Sequence, residues 1–151
     1  MSHNYKSDRQ RVEDAIIPYV LGSLMLAQVK EQPHYKAHFA HQLWMLKRGV
    51  AANANSEKVN KRLYRINRKI ANHFHSNGYE IRKAYMIISY IAKSLMEQRA
   101  VVLSKGTKKV VRMMHKEIAK GCVDDDIKRQ DISAAKQAPK VMQLILEEGY
   151  F

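Results

Sequence analysis

The chain has 151 residues, 27 of them Lys or Arg and 14 Asp or Glu, for a formal net charge of +13 and a sequence pI near 9.9. With 46% hydrophobic residues it is no disordered tail. One domain over residues 1–151 can bury enough surface to need no disulfide or metal staple. Its single cysteine, Cys122, excludes an internal disulfide and the thiolate-rich zinc sites.

Six glycines and three prolines are sparse punctuation, and apolar residues recur at helical spacing almost throughout. The pattern predicts an all-α bundle of five to six helices around a central apolar helix at about 79–103, with residues 1–7 a flexible N-terminal tail. A first helix is expected over Asp8 to Gln32, where Pro18 either kinks it or marks its true start. The apolar run Ala15 to Val29 is interrupted by Pro18, Gly22, Ser23 and Gln28. Like the later run Ala84 to Ala92, it is short of the roughly 20 residues of a membrane span, so no membrane partner is expected. A lone cysteine and no recognisable export signal point to a reducing cytoplasm.

The second helix is expected over His34 to Ala51, followed by a turn at 52–56 whose Asn55 or Ser56 caps the third. That third helix, Glu57 to His75, carries Val59, Leu63, Ile66, Ile70 and Phe74 as one stripe, and Asn77-Gly78 ends it. The fourth, Tyr79 to Leu103, is apolar nearly all round, with Val101-Val102 as a rival short strand. Ser104 to Thr107 reads as a turn with Thr107 capping a fifth helix that ends at Gly121. Asp124 to Asp126 start a loop or open a sixth helix, and Pro139 divides the tail from a last helix over Pro139 to Glu148.

Charge is concentrated in two places. Residues 56–83 carry +6 and residues 104–121 carry +5, leaving only +2 for the rest of the chain. On the third helix Lys58, Arg62, Arg65 and Lys69 make a cationic stripe, joined by Lys61. On the fifth, Lys105, Lys109, Arg112, Lys116 and Lys120 repeat the pattern, joined by Lys108. Like charges at this spacing repel by a few tenths of a kcal/mol per pair, and little glutamate is interleaved to relieve them. A polyanion supplies the missing counter-charge.

These residues predict a non-enzymatic nucleic-acid-binding protein, a small regulator of transcription or replication of the size found in a bacterium, phage or mobile element. Lys58, Lys61, Arg62, Arg65, Lys69, Lys105, Lys108, Lys109, Arg112 and Lys116 are the expected phosphate contacts. DNA is preferred to RNA, because single-strand readers usually display aromatics among their basic residues and only Tyr64 does so on the third helix. The fourth helix, the Ser104–Thr107 turn and the fifth helix have the order of a helix-turn-helix, with Val102 and Val110 as packing partners. A rival places the third helix in a groove.

Other constellations are weaker. His34, His38 and His41 share a helical face without a third-ligand carboxylate, and Asp124 to Asp126 point in different directions. No catalytic residue, metal site or cofactor is therefore expected. Arg68-Lys-Ile-Ala-Asn-His73 resembles the arginine, four residues, histidine motif of HEPN-type ribonucleases, which are also all-helical. That resemblance implies an RNA-cleaving alternative using Arg68 and His73 across a dimer, and Lys69 departs from the residue usual after the arginine. A further alternative is a helical adaptor or inhibitor docking an acidic partner, with the apolar segment Val141 to Phe151 as a homodimer or partner contact.

Overall fold

The computed structural model describes residues 6–120 and 124–149 and is all-helical, with no strand among the described residues. Its elements are α1 (Asp8–Glu31), α2 (Tyr35–Ala51), α3 (Glu57–Ser76), α4 (Ile81–Gln98), α5 (Lys105–Lys120) and α6 (Asp124–Gly149). The positions of residues 1–5, of Cys122 and of Tyr150 and Phe151 lie outside the described residues. Of the expected N-terminal tail, Lys6 and Ser7 are held: Lys6 pairs with Asp14, and the Ser7 hydroxyl accepts from the Gln10 amide.

Helix α1 runs unbroken through Pro18, which is buried. Proline removes the bond to the Asp14 carbonyl but is too well enclosed to end the helix. Its apolar residues occupy every side, and it packs on α2, α3, α4 and α6. The other helices pack in the order α3–α6–α4–α5–α2, so α1 takes the central place expected of α4. Helix α4 remains heavily buried between α1, α5 and α6 but shows Arg82, Lys93 and Glu97 to solvent. It also ends earlier than 103: Arg99 to Ser104 form an irregular linker, neither helix nor strand.

By length and composition α1 could cross a membrane, contrary to the estimate from its apolar run, but 56% of that stretch is buried inside this fold. Two carboxylates are buried with it. Asp14 accepts from Lys6 Nζ at 2.8 Å, Gln10 Nε2 at 2.9 Å and the Val102 amide at 3.1 Å. Glu13 accepts from Arg99 at 3.1 Å and Arg9 at 3.4 Å. Arg99 and Val102 bracket Ala100, whose φ of 53° is a left-handed conformation costly to a residue with a Cβ. The buried carboxylates therefore hold the α4–α5 linker against its own backbone preference.

The third helix matches its pattern closely. Val59, Leu63, Ile66, Ile70 and Phe74 are all buried, and Ser56 caps the helix through the Val59 amide. Gly78, at φ 64°, ends it: Tyr79 N donates to the Phe74 carbonyl and Gly78 N to that of His75, with the Phe74 and Tyr79 rings 5.9 Å apart. The expected break at Pro139 is absent, because α6 continues through it. Pro139 is exposed, as is Ala135, so water can reach the carbonyl that the proline leaves unbonded. Beyond Pro139, Val141 and Ile145 are buried in the core.

Candidate nucleic-acid interface

On α5 the buried residues Thr107, Val110 and Met114 face the bundle. Lys105, Lys108, Lys109, Arg112 and Lys116 are all exposed on the opposite side, in a band about 100° wide at 100° per residue. Helix α3 has the same design. Lys58, Lys61, Arg65, Arg68 and Lys69 are exposed, and Arg62 is half-buried. Lys61 meets Glu57 at 3.2 Å and Lys58 meets Asp8 at 3.8 Å, and Arg62 and Lys69 also have interaction partners. The two carboxylate pairs, Lys61–Glu57 and Lys58–Asp8, are solvated and contribute little. Among the described residues Arg65, Arg68, Lys105, Lys108, Lys109 and Arg112 have no carboxylate partner.

The two basic helices do not pack together. Helix α2 packs on α5 and lines one groove with α3, so it lies between them on that side of the molecule. From sequence α2 supplied none of the expected phosphate contacts. Yet its 17 residues contain no Asp or Glu, and Lys36, Lys47 and Arg48 are exposed on it. Its carboxylate-free composition was the signal available. Trp44, also on α2, is 53% exposed, with the His41 ring stacked 5.8 Å away and the Arg48 guanidinium 4.9 Å from the indole centroid. An exposed aromatic beside a cation is an element of single-strand recognition, here added to the exposed Tyr64 of the third helix. Acidic residues gather elsewhere: α6 holds six of the chain's 14 and packs against α3 and α4.

Two glycines join α2 to α5. A Cβ on Gly49 would sit 2.9 Å from Thr107 Oγ1 and 3.2 Å from Ser104 Oγ, and one on Gly106 would sit 3.2 Å from Met45 Cβ. The start of α5 thus lies directly on α2. Ser104, not Thr107, is its cap: the Ser104 hydroxyl accepts from the Thr107 amide at 3.1 Å, and its carbonyl accepts from Lys108 N at 3.0 Å. This geometry removes the helix-turn-helix. The linker from Arg99 to Ser104 is six residues long, Gly106 lies inside α5, and Val102 is 65% exposed while Val110 is fully buried, so they are not packing partners.

The remaining candidates are dispersed. His34, His38 and His41 are exposed, each beside a ring of its own helix: Tyr35, Phe39 and Trp44. Arg68 is exposed, whereas His73 is half-buried against Tyr79 and Phe74, with its Nε2 enclosed and unbonded. Five residues apart on one helix, Arg68 and His73 are about 140° apart around its axis and converge on no common point within the chain. Asp124 to Asp126 open α6. Comparison of the chain with protein-family models, with curated proteins and with solved structures finds no match.

Proposed function

We propose that this is a non-enzymatic nucleic-acid-binding protein, a small regulator of transcription or replication acting in a reducing cytoplasm, that lays a phosphate backbone across α5 and α3 with α2 between them. The observation supporting this most directly is the α5 band, in which Lys105, Lys108, Lys109 and Arg112 are exposed opposite the buried stripe with no carboxylate partner among the described residues. Binding follows from electrostatics. Each phosphate neutralised releases condensed counterions, and the repulsion stored along each helix is relieved as the backbone docks. Contacts of this kind position a nucleic acid without reading its sequence. Duplex DNA is the preferred target, and Trp44 is the point at which an unpaired base would be held instead.

Salt titration against duplex DNA, single-stranded DNA and RNA tests the proposal. Each phosphate contact contributes about 0.9 to the slope of log affinity against log salt on duplex DNA. Replacing Lys105, Lys109 and Arg112 together by glutamine should lower that slope by about 2 to 3, equally for unrelated sequences. An unchanged slope, or no binding at low salt, would remove α5 from the interface. Nucleic-acid cleavage lost in His73→Ala would replace the proposal with the ribonuclease alternative.

A further inference from the structure

The helices around α1 leave one interval open, between α2 and α3, and it holds a groove of about 590 Å3. Tyr19, Gly22, Ser23 and Leu26 of α1 form its floor, with Leu43 and Val50 on one wall and Tyr64 on the other. Leu26 is 60% exposed and Tyr64 57%, so the fold leaves two large side chains in water at its edges. Burial and the neighbouring Tyr64 both raise the Tyr19 pKa, keeping that phenol neutral in the groove. Contiguous apolar surface in a concave site marks a binding surface rather than a neglected stretch of exterior.

Gly22 makes the same point independently. Glycine weakens a helix interior, so its presence there usually reflects a close neighbour. Gly49 and Gly106 have such neighbours within the chain, whereas a Cβ on Gly22 would meet nothing within 4 Å. Nothing in the chain's own packing requires glycine at the floor of the groove. Its bare backbone suits the close approach of another molecule.

Charge selects the occupant. No carboxylate lines the groove. Lys47 lines the α2 wall, and Arg68 lies one turn beyond Tyr64 on α3. We infer that this groove receives an acidic amphipathic helix of a partner protein, its apolar side chains entering over Gly22 and its carboxylates meeting Lys47 and Arg68. From Tyr19 to Leu26 the floor extends about 10 Å, two turns of helix. A trough between two helices and over a third accommodates a further helix at ordinary packing distance, with anchors at i, i+3 or i+4, and i+7. A second copy of this chain docked face to face would oppose cation to cation. A polyanion finds its cations on the outward bands, not on this apolar floor.

The test uses the full chain and a labelled 16-residue peptide with leucine at helical spacing and glutamate elsewhere, read by fluorescence anisotropy. A peptide with lysine replacing the glutamate is the control, and a DNA duplex is titrated separately. The glutamate peptide should bind, and the lysine peptide at least tenfold more weakly. Gly22→Leu, which fills the open space over the floor, should weaken the glutamate peptide tenfold or more while leaving duplex affinity within twofold. Leu26→Ser, at an exposed position, should weaken it several-fold, which keeps the test valid if Gly22→Leu misfolds. Failure of the glutamate peptide to bind, equal binding of the lysine peptide, or full affinity in both variants overturns the inference. So does a parallel loss of duplex binding, which would assign the groove to nucleic acid, or a homodimer in sedimentation that Gly22→Leu dissociates. Duplex affinity in the unaltered chain separately reports on the cationic bands.

Discussion

Two alanine substitutions, chemically identical, should shift stability in opposite directions. Gly22 and Gly49 both lie inside helices, so each gains about 1 kcal/mol of helix propensity on becoming alanine, and the gain in the unfolded chain is the same for both. At Gly22 nothing lies within 4 Å of the new methyl group, and the variant should be stabilised by about 0.5–1 kcal/mol. At Gly49 the methyl would sit 2.9 Å from Thr107 Oγ1 and 3.2 Å from Ser104 Oγ. Those two hydroxyls are 2.9 Å apart, and Ser104 also caps α5. Overpacking costs about 1–3 kcal/mol, and disturbing the cap about 1 more, against the 1 kcal/mol gained. Gly49→Ala should therefore be less stable than the parent by about 1–3 kcal/mol, separating the two variants by about 1.5 kcal/mol or more. Urea unfolding followed by circular dichroism resolves that difference. In a chain of this length it corresponds to several degrees in Tm. Adding Thr107→Ala to Gly49→Ala should recover part of the loss as a favourable coupling. Similar stabilities for Gly22→Ala and Gly49→Ala would refute the α2–α5 packing described above, and with it the placement of the α5 cations beside α2.

Other perturbations test other parts of the molecule. Asp14→Ala leaves the Val102 amide and Lys6 without their buried acceptor and should cost about 2–3 kcal/mol, with faster hydrogen exchange at Val102; Asp14→Asn should cost less. Pro139→Ala should stabilise by about 1 kcal/mol or more, because it restores a helix bond at an exposed site; a destabilised variant would argue against a continuous α6. If a nucleic acid crosses α2, its binding should quench the fluorescence of Trp44, the chain's one tryptophan, and Trp44→Ala should weaken single strands by about 1–3 kcal/mol and duplex much less. Equal losses for single strands and duplex would exclude base stacking at Trp44.

The division between sequence and tertiary information is clear at particular residues. The stripe from Val59 to Phe74 and the Gly78 stop were legible because α3 buries one face, so periodicity reports burial directly, while the choice of Ser56 over Asn55 as cap came from the structure. The segregation of Lys105, Lys109 and Arg112 from Val110 and Met114 on α5 was legible for the same reason. Local signals were misleading where distant packing prevails. Pro18 does not mark the start of α1, Pro139 does not divide α6, and Thr107 loses the capping role to Ser104 because Ser104 is where α5 meets Gly49. Spacing along one helix says which side chains share a face. It cannot say which helix stands beside it. Only the tertiary structure could make α1 the centre, put α2 between the basic helices, bury Asp14 and Glu13 beneath the linker, and leave Gly22 at the bottom of an open groove, because each depends on contacts between residues far apart in the chain.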